Sequence, residues 1–254
     1  MNDTRLMAHL VACYPDRETS LCAADALVAG GAGILEIQLA FSDPSADGTA
    51  IQTACASVLS NGVTMAQGFD FIAEVRRRHP EIPVFVMTYA SLAFRQGIET
   101  FVRTAKEHGT DALIIPDLPF DCDEGLNEAC AKHGIAMIPV AAPSMTAERL
   151  ALMKKRGFQY IYAALRSGIT GNKTVVTPDM IRFLETVSAN GTRVLGGFGI
   201  ENGEQVAMLA PHVYAVVAGS VFVRIIAEHY NAADISRSRT DIAEKLKQKA
   251  AELH

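Results

Sequence analysis

Three carboxylates lie close together in the segment LEIQLAFSDPSADGTAIQ, residues 35–52. Glu36, Asp43 and Asp47 stand among apolar and small residues, and Gln38 occupies a position where a buried strand usually has an aliphatic side chain. Two carboxylates in unlike surroundings can divide the acid and base roles of a proton-transfer reaction. The segment is therefore the first candidate for an active site.

The segment begins with the pattern of a strand. Side chains alternate between the two faces of a strand, so Glu36 and Gln38 share one face while Leu35, Ile37 and Leu39 share the other. If the apolar face meets a layer of helices, Glu36 points to the opposite side. A buried carboxylate is costly unless it is paired, protonated or retained for chemistry. Glu36 is thus either an acid/base group or a hydrogen-bonded core residue.

The loop SDPSADG follows this strand and contains the turn signals Asp-Pro and Asp-Gly. An Asp side chain readily accepts hydrogen bonds from nearby backbone amides. Asp43 can therefore be a turn residue or a functional acid, and the loop pattern does not separate the two interpretations.

Glycine-rich turns near the end of the chain could bind an anion. The segments LGGFGIENGEQV (195–206) and VVAGSVFVRII (216–226) both place glycine between an apolar run and a helical pattern. Backbone N–H groups at such turns, backed by a helix N-terminus, bind phosphate without a basic side chain. The candidate donors are Gly197, Gly199, Gly219 and Ser220. The segment LRSGITGNKTVVTP (165–178) has the composition of a mobile lid or of a plain surface loop.

Repeated strand and helix patterns position these residues. Short apolar runs typical of buried strands recur eight times, at 6–12, 34–40, 83–89, 111–117, 135–141, 160–165, 193–199 and 214–220. Helical patterns lie between several of them, and one more ends the chain, at 19–32, 66–80, 97–109, 146–157 and 233–253. The order predicts a single-domain (β/α)8 TIM barrel over residues 1–254, with an open doubly wound sheet as the alternative. A barrel places its chemistry at the C-terminal ends of the strands.

Composition excludes several classes of protein. The chain has 254 residues and a net charge of −5, without a basic stripe for nucleic acid, a signal-peptide pattern or an apolar run long enough for a membrane span. Its five cysteines are scattered and its seven histidines lack metal-ligand spacing. We expect a cytoplasmic enzyme without a protein-bound metal.

Several motifs resemble the tryptophan synthase alpha subunit family along nearly the whole chain. They are L-E-x-x-x-x-F-S-D-P-x-A-D-G-x-x-I-Q at 35–52, P-D-L-P at 116–119, R-S-G-I-T-G at 166–171, G-F-G-I at 197–200 and A-G-S at 218–220. The loop FSDPxADG after a strand Glu is the most specific of them.

The resemblance implies a TIM-barrel lyase of tryptophan biosynthesis that cleaves indole-3-glycerol phosphate to indole and glyceraldehyde 3-phosphate. It implies no cofactor in this chain, and a beta subunit that carries pyridoxal phosphate and joins it in an alpha-beta-beta-alpha assembly. Glu36 and Asp47 match the catalytic carboxylates. Substrate contacts are implied for Tyr162, Gly171, Gly197, Phe198, Gly199, Gly219 and Ser220. Loop or lid roles are implied for Asp43, Arg166 and Thr170.

The chain departs from the family's pattern near these residues. Gln38 replaces a glycine, Ala40 and Thr49 replace prolines, Ser91 replaces an asparagine, and Leu165 replaces a serine. These changes bear on substrate fit and loop closure. His9 replaces a bulky apolar residue of the first strand, where we expect an ordinary core histidine with its hydrogen bonds satisfied. The first strand begins so early that we expect no helix to plug the bottom of the barrel.

Two other functions remain open from the sequence. The chain could be a degenerate alpha-like protein that activates the beta subunit with little or no lyase activity, which Gln38 and Ser91 favour. It could also be another phosphate-binding barrel enzyme, such as an isomerase or a synthase that acts on a different phosphate.

Overall fold

The structure is a computed structural model that describes residues 4–165, 176–188, 191–197 and 199–254. Parallel strands in the described part form one sheet in the order β5-β4-β3-β2-β1-β9-β8-β7-β6. The strands are β1 (Arg5–Val11), β2 (Ala32–Gln38), β3 (Val84–Met87), β4 (Ala112–Ile114), β5 (Ala136–Ile138), β6 (Val140–Ala141), β7 (Tyr160–Ala164), β8 (Arg193–Gly197) and β9 (Ala215–Ala218). Each of the eight predicted strands is confirmed.

The sheet closes at the fifth predicted strand, which Pro139 divides into β5 and β6. Proline has no N–H to donate to a ladder, so the strand is interrupted there. β5 pairs with β4 and β6 pairs with β7, while the Pro139 carbonyl still accepts a hydrogen bond from the Tyr162 N–H at 3.0 Å. The two halves together occupy one strand position, and the result is an eight-position barrel. The open-sheet alternative is wrong.

Helices surround this barrel. Those in the described residues are α1 (Arg17–Ala29), α2 (Thr49–Ser60), α3 (Met65–Arg78), α4 (Ala90–Gln96), α5 (Ile98–Glu107), α6 (Leu126–His133), α7 (Ala147–Arg156), α8 (Pro178–Val187), α9 (Gly203–Leu209), α10 (Ser220–His229) and α11 (Ile235–Leu253). Side-chain caps set where several of them begin, as Asp16 does for α1 and Thr64 with Gln67 for α3. No helix of the described part is long and apolar enough to cross a membrane.

Arginine and tyrosine side chains close the N-terminal end of the barrel. The guanidinium groups of Arg5 and Arg193 lie 4.8 and 4.9 Å from the ring centre of Tyr214, and Arg193 also lies 5.6 Å from the ring centre of Tyr160. Within the described part, which starts at Thr4, no helix precedes β1. Stacked side chains therefore cover the bottom of the barrel, where we expected the plugging helix of the family to be missing.

The pairing of β1 with β2 determines which side chains meet in the upper barrel. His9 stands opposite Glu36 in this ladder, and Gln38 stands opposite Val11 one pleat further along. Below them the interior is filled by apolar side chains, among them Met7, Ile34 and Phe85. The polar residues are thus confined to the C-terminal end of the strands, where a TIM barrel carries its chemistry.

Candidate active site

A cavity opens at the C-terminal end of the barrel and has three kinds of wall. Polar side chains of His9, Glu36, Asp47 and Tyr162 form one part. Apolar side chains form most of the rest, and they are Ile51, Met87, Ile114, Val140, Ile200, Val217 and Val221. The third part consists of Gly199, Gly219 and Ser220. A few convergent polar groups in an apolar cavity are typical of a small-molecule site.

Glu36 reaches this cavity from the middle of β2. Leu35 and Ile37 pack in the core between sheet and helices, while Glu36 turns inward and is 3% exposed. Its Oε2 atom lies 2.9 Å from Nδ1 of His9. The predicted inward direction of Glu36 is confirmed, and the buried carboxylate has a partner that can be charged.

His9 is part of the site, so its interpretation as an ordinary core histidine with satisfied hydrogen bonds is wrong. It lines the cavity, and its buried Nε2 atom has no hydrogen-bond partner among the described residues. Burial lowers the pKa of His9, but the hydrogen bond to Glu36 and the negative charges of Glu36 and Asp47 outweigh it and raise the pKa above its usual value. A protonated imidazole beside Glu36 is the form that this environment favours.

Asp47 lies on the loop before α2 and is 4% exposed. Its Oδ2 atom accepts hydrogen bonds from Nε2 of Gln38 at 2.8 Å and from the hydroxyl of Tyr89 at 2.7 Å. Burial raises the pKa of Asp47, while the positive charge of His9 and these two hydrogen bonds oppose the rise. Asp47 is therefore a desolvated carboxylate held by two neutral donors.

Gln38 points into the space behind Asp47. Besides the bond to Asp47, its Nε2 atom lies 3.5 Å from Sγ of the buried Cys55 on α2, and its Oε1 atom has no partner within the described part of the chain. Burial raises the pKa of the Cys55 thiol to about 12, so this sulfur stays protonated at neutral pH. The amide thus supports a carboxylate of the site.

Tyr89 was not identified as a site residue from the sequence, although it lies two residues after the end of β3. Its ring is fully buried and stacks on Phe41, with ring centres 5.2 Å apart. Its hydroxyl donates to Asp47 and accepts a hydrogen bond from the N–H of Ala46 at 3.1 Å. One side chain therefore fixes two neighbouring points of the loop that carries Asp47. A tyrosine at the C-terminal end of a predicted barrel strand was the available signal.

The glycines have different positions in the site. Gly199 has a φ of 70° and lines the cavity, as do Gly219 and Ser220, where α10 begins. A Cβ atom on Gly219 would lie 3.1 Å from Cβ of His9, so glycine allows the imidazole to pack there. Gly197 belongs to β8, and a Cβ atom on it would lie 2.6 Å from the Tyr162 hydroxyl. The absence of a side chain at Gly197 therefore leaves space for the Tyr162 hydroxyl.

The chain is similar to known proteins over nearly its whole length. The sequence profile of the family described as tryptophan synthase alpha chain matches residues 1–252. The chain belongs to this family. The alpha chain of Helicobacter hepaticus is 38% identical over 230 residues, which are 88% of this chain and 86% of the relative. That of Methanosarcina mazei is 36% identical over 249 residues, 98% of this chain and 87% of the relative.

Solved structures of tryptophan synthase have the same fold. A chain of the a2b2 complex of Pyrococcus furiosus superposes with a TM-score of 0.86 at 29% identity, over 99% of this chain and 98% of that chain. A chain of the Mycobacterium tuberculosis enzyme also gives a TM-score of 0.86 at 29% identity, over 99% of this chain and 92% of that chain. The prediction of an alpha-subunit barrel is confirmed.

Other residues singled out in this alpha-family sequence lie elsewhere. Asp43 is exposed, and its Oδ2 atom accepts a hydrogen bond from the hydroxyl of Ser42 at 2.5 Å. Ser91 is exposed on α4, and Leu165 is buried directly after β7. The remaining predicted positions lie outside the described residues, and they are Arg166, Thr170, Gly171 and Phe198.

An ion pair at the mouth of the cavity was not predicted. Nη2 of Arg224 on α10 lies 2.7 Å from Oε1 of Glu201, and both residues line the cavity beside Gly199 and Ser220. The pair places a cation next to the glycine-rich wall while a carboxylate neutralises it. The described residues contain no group of three or more His, Cys, Asp or Glu that could hold a metal ion.

Proposed function

We propose that this chain cleaves indole-3-glycerol phosphate to indole and glyceraldehyde 3-phosphate by a retro-aldol reaction, as the alpha component of a tryptophan synthase. One observation carries the proposal. Glu36 and Asp47 line the same largely apolar cavity as Gly199, Gly219 and Ser220. A substrate with a flat heterocycle at one end and a phosphate at the other fits such a cavity.

Glu36 is the general acid and base of this reaction. It delivers a proton to C3 of the indole, which makes that carbon a leaving group. The bond between C3 and the glycerol carbon then breaks, and its electrons return to the indole ring. The glycerol hydroxyl loses its proton to the carboxylate and becomes the aldehyde. Burial of Glu36 at 3% exposure supports this role because an excluded carboxylate exchanges protons with the substrate instead of with water.

Asp47 accepts a hydrogen bond from the indole N–H. Protonation at C3 creates positive charge on the ring, and a fixed carboxylate next to the nitrogen stabilises that charge. Gln38 and Tyr89 both donate to Oδ2 of Asp47, so we assign Oδ1 to the substrate. These neutral donors hold the carboxylate without cancelling its charge.

The phosphate binds at the glycine-rich wall. Backbone N–H groups of Gly219 and Ser220, at the N-terminus of α10, are suited to an anion, and Gly199 adds a left-handed turn beside them. Arg224 can add positive charge at this end if the phosphate replaces Glu201 as its partner. Tyr162 borders the indole end near Glu36.

Further parts of the proposal come from the family pattern. Gly171, Gly197 and Phe198 complete the substrate contacts, while Asp43, Arg166 and Thr170 belong to the loops that cover the site. The chain works with a beta subunit that carries pyridoxal phosphate, and it needs no cofactor itself. The superposition on the a2b2 complex of Pyrococcus furiosus supports that partner. We also propose a cytoplasmic location, which agrees with five unpaired cysteines.

Indole release tests the proposal. The purified chain is incubated with indole-3-glycerol phosphate, with and without its beta subunit, and indole is measured. We expect indole from the chain alone and more from the complex. A folded chain that releases none in either case contradicts the proposal. Thermal shifts with indole-3-glycerol phosphate and with a panel of other sugar and heterocycle phosphates then identify the preferred ligand.

A further inference from the structure

The imidazole of His9 connects the two functional ends of the cavity. Its Nδ1 atom lies 2.9 Å from Oε2 of Glu36, and both side chains are about 5% exposed. Its ring also packs on Gly219, where a Cβ atom would lie 3.2 Å from Cγ and 3.4 Å from Cδ2 of His9. An apolar side chain, which usually occupies this position in the family, could fill the same space but could not hydrogen-bond Glu36.

We propose that His9 is a positioning residue for Glu36 in this chain. The inference rests on the proposed function. The Nδ1–H of His9 holds Oε2 of Glu36, which fixes the rotation of the carboxylate and directs Oε1 to the bound indole. A general acid must lie within hydrogen-bond reach of the atom that it protonates, so a fixed carboxylate raises the fraction of encounters that react.

The same hydrogen bond favours the chemical step electrostatically. Glu36 becomes a carboxylate when it gives its proton to C3 of the indole. A hydrogen bond from imidazole to a carboxylate is stronger than one to a neutral carboxyl group, and stronger again when the imidazole is protonated. His9 therefore stabilises the state after proton transfer more than the state before it. No proton needs to leave His9 during the step.

The buried location explains why a titratable donor is suitable here. Nδ1 of His9 lies within hydrogen-bond distance of the buried Glu36 carboxylate, 2.9 Å from Oε2. An arginine would bring a permanent charge into this cavity, whereas an imidazole can adopt the charge that Glu36 requires. Asp47, whose negative charge also favours protonated His9, lines the same cavity and keeps its own donors, Gln38 and Tyr89.

Three substitutions test this role in the full chain with its beta subunit. His9→Phe keeps an aromatic ring and removes the donor. His9→Asn places an amide nitrogen near the position of Nδ1, and His9→Gln places one near the position of Nε2 instead. Thermal unfolding establishes which variants are folded. The measurements are kcat and KM for indole release from indole-3-glycerol phosphate.

We expect His9→Phe and His9→Gln to lower kcat about 10- to 100-fold, a part of the roughly 10²–10⁴ that general acid–base catalysis supplies. KM should change less than about threefold, since His9 acts through Glu36 and not through substrate binding. His9→Asn should recover most of kcat. If His9→Phe does not fold, His9→Gln and His9→Asn alone give the same contrast.

The outcomes separate this role from the proposed function. Suppose that the wild-type chain is active and that the folded Phe and Gln variants have a kcat within about twofold of it. This result overturns the role of His9 but leaves the proposed function intact. Equal losses in the Gln and Asn variants also overturn it, because they would reflect packing and not the Nδ1 donor. A folded wild-type chain that releases no indole contradicts the proposed function, and this role with it.

Discussion

The two carboxylates of the cavity are supported in opposite ways. Glu36 projects from a strand of the barrel and is paired with a titratable histidine. Asp47 lies on a loop and is held by an amide and a phenol, which are neutral at working pH. An acid/base group must change its charge in each cycle, and a partner that can be charged assists that change. A carboxylate that stabilises positive charge on the substrate must remain a charged hydrogen-bond acceptor. Neutral donors hold it in place without cancelling its charge.

Two departures from the family pattern supply donors to these carboxylates. His9 replaces an apolar residue and Gln38 replaces a glycine, yet each donates to one of the two carboxylates. Both changes lie inside the barrel where a lone polar group would be costly. The carboxylates therefore make these substitutions tolerable, and the substitutions hold the carboxylates in place.

The largest effect is expected from Glu36→Gln. Glutamine has a similar shape but cannot transfer the proton, so kcat for indole release should fall at least about 100-fold. The exposed Glu107→Gln on α5, at the far end of its helix from the cavity, is the matched control and should leave kcat unchanged. A Glu36→Gln variant with more than about a tenth of wild-type kcat would contradict the assignment of the proton transfer to Glu36.

A smaller loss is expected from Asp47→Asn. The variant keeps an oxygen acceptor but loses the negative charge next to the indole nitrogen, so kcat/KM should fall about 10- to 100-fold, as for one electrostatic contact in a buried site. If Asp47→Asn lowers kcat/KM as much as Glu36→Gln does, the division of roles between the two carboxylates is wrong.

The stability of Asp47→Asn should not fall at neutral pH. Burial raises the pKa of Asp47 in the folded chain, so the folded state binds this proton more tightly than the unfolded state. The charged carboxylate therefore costs stability above its folded pKa, and the neutral amide avoids that cost. Thermal unfolding at neutral pH checks the sign, and a clear drop in Tm for Asp47→Asn would contradict it.

The donors of Asp47 should contribute measurably to stability. Tyr89→Phe removes one hydroxyl that contacts both Asp47 and Ala46, and we expect the free energy of unfolding to fall by about 1–3 kcal/mol. Tyr14→Phe is the control, since Tyr14 is also a buried tyrosine but does not line the cavity. Urea unfolding of both variants gives the comparison, and equal values would show that the Tyr89 hydroxyl is dispensable.

The smallest expected effect is the pH dependence of stability that arises from the contact between His9 and Glu36. The pKa of His9 is raised above its unfolded value of about 6.5, so its protonated form stabilises the folded chain. This contribution is fully present below about pH 6.5 and is lost as the pH rises through the folded pKa. Unfolding free energies of wild type and His9→Phe, measured across this window, should differ most at its acid end. A pH-independent difference would contradict the ion pair.

Local pattern was sufficient to predict the fold and the placement of part of the candidate site. Apolar runs and helical spacing predicted all eight strands, and alternation along β2 predicted that Glu36 points inward. The glycines at the ends of β8 and β9 predicted the wall formed by Gly199, Gly219 and Ser220. These inferences depend on neighbours in sequence, which a single chain displays directly.

The errors and omissions depend on neighbours in space. His9 meets Glu36 because the β1–β2 register puts them opposite each other, and a shift by one residue would turn His9 to the other face. Gln38 and Tyr89 meet at Asp47 because the loop before α2 folds back over the barrel end. Register and loop conformation arise from the closed barrel, so neither contact could be derived from spacing along the chain.

The structure of the Glu36→Gln variant with indole-3-glycerol phosphate bound tests the central claim most directly, because that variant should hold the substrate without cleaving it. We expect the indole N–H within hydrogen-bond distance of Oδ1 of Asp47, C3 beside the amide that replaces the Glu36 carboxylate, and the phosphate on the N–H groups of Gly219 and Ser220. An indole nitrogen directed away from Asp47, or a phosphate bound outside the glycine-rich wall, would contradict the account.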